Sequence, residues 1–346
     1  MADPILHDLH KLPKASDPYL WCDYIELRCI VDVDQKFSRG DLLELLAEAG
    51  EIADEDFDDA DSDDDEEPDA DESADGDENA DTAAAAVLPK ADRHETKVSW
   101  LFKSLVYRAS LFGDAYPFEL DAANQELSLR PADTTVRLMY LQLLLSASLR
   151  LVPRKRRPEL TDPFEKMSAE IFRCLMPNGW EVHRFGATAK ARYTGHLFDR
   201  FKKLAADLRA ELTVKRAHYK RINTGDGGLD IVAWHPMGDD ERVGIPIALA
   251  QCGCTAEEWT LKSLEASPSR LAHLRAHHRW ATYYFMPQDL STSIDGKNDW
   301  QRRPSLTDCI VVDRLRLIRL AVQYDVTDKC MNAKKPVEEA LALEAA

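Results

Sequence analysis

Lysine and arginine are absent from one long stretch of this chain: between Glu51 and Asp81 stand 19 acidic residues and no basic one. The net charge of −18 comes from that segment, since the remainder carries 43 acids against 44 bases. A segment so poor in apolar surface cannot offset the entropy of ordering, so residues 51–90 are expected to form a disordered acidic linker or insertion. A solvated spacer is the plainer role, and a nucleic-acid mimic lying in a basic groove the sharper one. Also missing is any apolar run of the ~20 residues that a membrane span needs. The longest, Leu138–Leu151, is interrupted by Gln142, Ser146, Ser148 and Arg150. The first eight residues show no basic-then-apolar leader, so no secretory signal is expected. Seven cysteines lie scattered without a Cys-x-x-Cys pair. That odd count points to reduced thiols in a cytoplasmic setting rather than to a disulfide framework. No Gly-x-x-x-x-Gly-Lys loop occurs either, so any ATP-driven motor would have to be a separate chain.

The 346 residues leave room for about two domains of ~150 residues each. Residues 1–50 predict a small helical unit, with Trp21, Tyr24, Ile25, Leu27 and Val31 on a first helix. Ser38 stands as the cap of a second, Asp41–Leu46. Beyond the acidic segment, residues 91–158 predict the rest of a mostly helical N-terminal domain. It comprises a helix over Lys97–Phe112, a turn with a short extended piece over Phe118–Leu129, an apolar helix over Pro131–Leu151, and a basic hinge, Pro153–Pro158. From residue 159 to 330 the pattern turns to mixed α/β. Helices are expected over Pro163–Leu175, His196–Leu212 and Ala256–Glu265, the last with Thr255 as its cap. Strands are expected at 180–185, in "LDIVAW", in "IPIALAQCGC", in "RWATYYFMP" and in "DCIVV", the last leading into a helix. Helices on both sides of such strands describe a three-layer α/β/α core. Residues 331–346 are read as a C-terminal tail.

The stretch that carries chemistry is Gly225-Asp226-Gly227-Gly228-Leu229-Asp230, with Gln251-Cys252-Gly253 at the end of the next predicted strand. Two neighbouring strands that each end in an oxygen-bearing side chain can set those oxygens on one hard cation. Mg²⁺ takes octahedral oxygen ligation and keeps several waters, so two or three protein ligands suffice. The glycines allow positive φ and close approach of a nucleic-acid backbone, while Asp226 can hold the turn by an Asx hydrogen bond. In this pattern the chain resembles the PD-(D/E)xK nuclease superfamily, in particular the Mrr-like branch of restriction endonucleases, over roughly residues 163–285. Pro163-Phe164-Glu165 matches that branch's Phe-Glu helix, and Gly179-Trp180-Glu181-Val182 its lead into the first strand.

The resemblance implies a restriction-endonuclease-like core and a metal-dependent DNA endonuclease, with a context in prokaryotic restriction or anti-phage defence. It implies Mg²⁺, replaceable by Mn²⁺, held by Asp230, Gln251 and Glu165, with Glu170 in reserve. The amide of Gln251 lowers the ligand charge, so weaker metal affinity is expected than at an all-carboxylate site. Where the family carries its lysine this chain has Gly253, and Lys262 is expected to serve from the following helix as the group that stabilises charge on the phosphate. The rival reading is a degenerate nuclease-fold adaptor that binds DNA or a partner protein without cutting. Phosphate contacts are assigned to Lys215, Arg216, Lys220, Arg221 and Arg275, with Arg270, Arg279, Arg302 and Arg303 further out. DNA is the expected partner, along with a separate defence-system subunit or a second copy of the chain. Cys252 and Cys254 share a strand face but find no second pair at zinc-ligand spacing, so they are read as buried strand residues. His273, His277 and His278 are read as a helix surface rather than as metal ligands.

Overall fold

The computed structural model describes residues 4–50, 90–186, 192–219, 227–256 and 258–343. The acidic segment therefore lies outside the described residues, as do Gly225, Asp226, Lys220 and Arg221. The chain begins with α1 (Pro18–Val31), β1 (Lys36–Ser38) and α2 (Arg39–Gly50). Ser38 caps α2: its Oγ accepts from Asp41 N at 3.3 Å while Asp41 Oδ2 accepts from Ser38 N at 2.7 Å. After α3 (Lys90–Phe112), β2 (Phe118–Asp121) and β3 (Glu126–Leu129) form a hairpin that pairs with β1. The short extended piece expected at 118–129 is thus a small antiparallel sheet. α4 (Thr135–Ala147) starts at a Thr134 side-chain cap and is apolar nearly all round, since it lies buried among other helices.

α5 (Pro158–Leu175) leads into β4 (Glu181–Arg184), α6 (Leu197–Asp207), β5 (Glu211–Leu212), β6 (Ile231–Trp234) and β7 (Ile247–Cys252). The helix expected to reach Leu212 stops at Asp207, because Glu211–Leu212 pairs instead with β8 (Leu274–Arg275). The helix expected over Ala256–Glu265 is a single turn, α7 (Trp259–Lys262). Its early residues are taken up by tertiary contacts: Ala256 O accepts from the Tyr19 hydroxyl, and Thr255 Oγ1 from the Lys262 amine. β9 (Ala281–Phe285) follows. A hairpin, β10 (Ser291–Ile294) and β11 (Lys297–Trp300), turns at Asp295-Gly296, both at positive φ. β12 (Ile310–Val312), α8 (Arg314–Gln323), α9 (Thr327–Cys330) and α10 (Lys334–Leu341) complete the chain. The residues read as a tail thus carry a helix, with Val337 and Ala340 buried.

The fold is mixed α/β. Its main sheet runs β12-β9-β7-β6-β4, parallel between β7, β9 and β12 and antiparallel across β7-β6-β4. Side-chain alternation divides its two faces. Ile231, Ala233, Ala248 and Ala250 join a buried cluster with Phe164 and Phe172 of α5 and Leu317 of α8; this cluster continues into Leu27, Leu105 and Leu144 of the N-terminal helices. Val232, Trp234, Ile247 and Leu249 face Leu197, Phe201 and Leu204 of α6. Among the described residues no helix is long and apolar enough to cross a membrane.

Candidate functional site

Regular pairing between β6 and β7 ends at Ile231 opposite Ala250, while β7 runs on to Cys252. Asp230 occupies the point where the ladder stops. Its backbone N donates to Ala250 O at 3.0 Å, and its carbonyl accepts from Phe185 N and Gly186 N at 2.6 and 3.2 Å. With its main chain stitched to both neighbours, the side chain is directed onto the end of β7, where Oδ2 accepts from Cys252 N at 2.8 Å. Asp230 is 2% exposed and Gln251, one residue from that contact, 6% exposed. The Gln251 amide oxygen is buried and finds no hydrogen-bond partner among the described residues.

Glu165 comes to the same place from α5. A Cβ added to Gly186 would lie 2.9 Å from Asp230 Oδ1 and 3.1 Å from Glu165 Oε1. Those two distances bound the separation of the carboxylate oxygens at about 6 Å. Both carboxylates therefore pack against the bare glycine, and the two charges are felt nearby. Loss of hydration and then the charges of Asp230 and Glu165 push the Cys252 thiol far up. The Cys254 thiol is raised in the same way against an opposing pull from Lys262. Arg184 of β4 balances Glu165, its Nη2 donating to Glu165 Oε2 at 2.5 Å and to Asp162 Oδ1 at 2.7 Å. Burial would raise Asp162, but bonds from Lys166 and Arg184 outweigh it and hold that carboxyl below its usual value.

The glycine turn behaves as its sequence requires. Gly227 and Gly228 sit at φ +68° and +80°, and a Cβ on either would come within 2.9 Å of Phe201 or of Glu265. Close packing and backbone conformation thus both demand glycine there.

The lysine position is filled. A Cβ on Gly253 would land on the Tyr284 hydroxyl, which reaches across from β9, where Tyr284 pairs with Gln251. That hydroxyl is fully buried and has no hydrogen-bond partner among the described residues. Burial raises the phenol well above 10, and the charges of Cys254, Cys252, Glu265 and Asp230 raise it further. The Lys262 amine donates to Thr255 Oγ1 at 2.7 Å and lies 3.8 Å from Glu258.

Asp230 and Glu165 therefore meet beside Gly186, with Gln251 the residue of β7 after Ala250, where its pairing with β6 ends. Glu170 is tied to Arg173 at 2.5 Å and Lys329 at 3.5 Å, away from them. Among the basic candidates, Lys215, Arg270, Arg275 and Arg279 are exposed. Arg216 is paired with Asp199, Arg302 with Asp17 and Arg303 with Asp299. His273 packs edge-on against Phe201, and burial lowers it. Neither Arg184, Glu265 nor Tyr284 carries a local sequence signal: each is brought in by pairing or packing between distant segments.

No group of three His, Cys, Asp or Glu side chains suited to a metal occurs among the described residues. A cation here would be held by two carboxylates and an amide. The donor set fits a hard ion on two counts: a buried amide oxygen with no hydrogen-bond partner among the described residues, and two carboxylate oxygens no more than about 6 Å apart beside Gly186. No family model, no curated protein and no solved structure matches this chain.

Proposed function

We propose that the chain is a divalent-cation-dependent endonuclease of the PD-(D/E)xK kind that hydrolyses phosphodiester bonds in DNA. The observation that carries this reading is the buried Gln251 Oε1, without a hydrogen-bond partner among the described residues, one residue from the Cys252 N that Asp230 holds, with Glu165 approaching Asp230 beside Gly186. A buried carbonyl oxygen without a donor costs about 1–3 kcal/mol, a cost that a cation ligand would relieve. Asp230, Glu165 and Gln251 would hold Mg²⁺, or Mn²⁺ in its place. Bound there, the ion would supply Lewis-acid polarisation of the phosphate and a lowered pKa for an attacking water. Asp230 would be the fixed ligand, since its backbone and one carboxylate oxygen are already tied to Phe185 and Gly186 after β4 and to β7. Arg184 would keep Glu165 charge-balanced until an ion replaces that contact. Lys215 and Arg275, both exposed, would contact the DNA backbone, and the near-neutral charge outside the acidic segment opposes no polyanion. Restriction or anti-phage defence in a prokaryotic cytoplasm is the context that goes with this reading, acting with a separate subunit or as a homodimer.

Plasmid nicking with Mg²⁺ or Mn²⁺ tests the proposal. Wild type is expected to cut, and Asp230→Ala to cut at least ~10³-fold more slowly, as befits loss of the anchored ligand. Equal cutting by the two proteins would remove the assigned site. One observation favours a second reading, an adaptor that binds DNA or a protein without cutting: the lysine position at Gly253 is closed by a neutral tyrosine. Metal-independent DNA binding by a wild type that never cuts would establish it.

A further inference from the structure

We infer that the Tyr284 hydroxyl, rather than any lysine amine, is the donor that contacts the scissile phosphate at this site. The inference rests on the nuclease reading and deepens it. β7 and β9 run parallel with Gln251 beside Tyr284, and Gly253 N donates to Phe285 O at 2.9 Å. This register carries the phenol to the place where the side chain of residue 253 would begin. The ring cannot readily yield to a side chain there, because it is fully buried with Tyr19, Trp259, Met286, Leu290 and Val311. Glycine at 253 and tyrosine at 284 are therefore one device: the first makes room for the hydroxyl of the second.

A buried hydroxyl without an acceptor is unusual in a folded chain and calls for a reason. Its neighbours supply one. The hydroxyl lies where a Gly253 side chain would begin, two residues on from Gln251 and one from Cys252, whose N donates to Asp230 Oδ2. A phosphate oxygen brought there by a cation would be the missing acceptor. A phenol donates one hydrogen bond and adds no net charge, so the contact would stabilise the transition state by orientation and polarity rather than by a full positive charge. Lys262, the alternative donor, lies beside Thr255 and Glu258.

The full-length chain tests this with three measurements on wild type, Tyr284→Phe and Lys262→Ala: steady-state cleavage of plasmid DNA, Mn²⁺ affinity by calorimetry, and melting of the metal-free protein. Tyr284→Phe is expected to lower kcat by ~10²-fold, the size seen when one transition-state donor is removed. Its KM for DNA and its Mn²⁺ affinity should stay within about twofold, and its melting temperature should hold or rise, since no hydrogen bond inside the fold is lost. Lys262→Ala should cut within about threefold of wild type. Cleavage by Tyr284→Phe at the wild-type rate would overturn the inference. So would a drop of several degrees in its melting temperature, a loss of Mn²⁺ affinity, or a loss of kcat in Lys262→Ala as large as its own. A wild type that cuts no DNA with either ion would bring down the nuclease reading itself, an outcome distinct from an active wild type with an equally active Tyr284→Phe.

Discussion

Gly186 shows how much a single missing methyl can hold open. An added Cβ would lie 2.9 Å from Asp230 Oδ1 and 3.1 Å from Glu165 Oε1, so the carboxylates would have to shift to admit it. Gly186 is not among the glycines at positive φ, so alanine there is not opposed by the backbone. Gly186→Ala is therefore expected to fold, with melting within a few degrees of wild type, while Mn²⁺ affinity falls by at least ~10-fold through crowding of the ligands. Calorimetric titration with Mn²⁺ checks this, and undiminished affinity would show that the ion does not lie between these two acids. Gly228 offers the contrast: there φ is +80° and the Glu265 Cβ lies 2.9 Å away, so alanine would strain the backbone and collide at once.

Among the elements, α2 and α7 show when a local signal decides and when it is overruled. Ser38 and Asp41 satisfy each other's backbone N–H groups at the start of α2. Ser38→Ala is expected to cost about 1 kcal/mol, read as a lower midpoint in urea with unchanged slope. A change below about 0.3 kcal/mol would mean that packing alone sets where α2 begins. Thr255 and the acids after it carry a similar signal, yet the helix is reduced to Trp259–Lys262. Trp259 is drawn fully into a cluster with Tyr19 and Tyr284, and Tyr19 takes the Ala256 carbonyl that a longer helix would use. The β10–β11 hairpin was not expected from the sequence: Asp295-Gly296 is the pair that a two-residue turn with positive φ prefers, but the flanking strands alternate too weakly to stand out.

At the scale of the whole molecule, a buried ionic network joins the N-terminal helices to the main-sheet unit. Arg314, at the start of α8, donates to both carboxylate oxygens of Asp23 on α1 at 3.0 and 2.7 Å, and to Pro287 O at 2.8 Å. Arg108 of α3 reaches Asp23 at 2.7 Å, Glu26 at 2.9 Å and Asp289 at 3.1 Å. Tyr116 and Tyr140 close the network on Glu26, whose carboxyl burial raises against the pull of Arg108. Arg314 and Glu26 are both fully buried. Removing one partner strands the others without water, so Arg314→Met is expected to cost about 3–5 kcal/mol. Denaturation followed by tryptophan fluorescence measures it. A loss under 1 kcal/mol would show that the two parts are held by their shared apolar cluster alone.

Sequence alone sufficed where the signal lies within a few residues. The apolar runs of β6 and β7, the glycine turn before Asp230, the Ser38 cap and the apolar face of α5 are of this kind, because apolar runs, positive φ and capping are settled by near neighbours. Tertiary structure decided everything that needs two distant segments in register. It put Tyr284 in the space that Gly253 leaves, Arg184 on Glu165, and Glu165 across Gly186 from Asp230. It also drew Asp23 and Arg314 together across 291 positions. Those contacts depend on which strands neighbour one another and on how far each ladder runs before it ends. That information is spread over the whole sheet and the helices packed on it, and no single stretch of residues contains it.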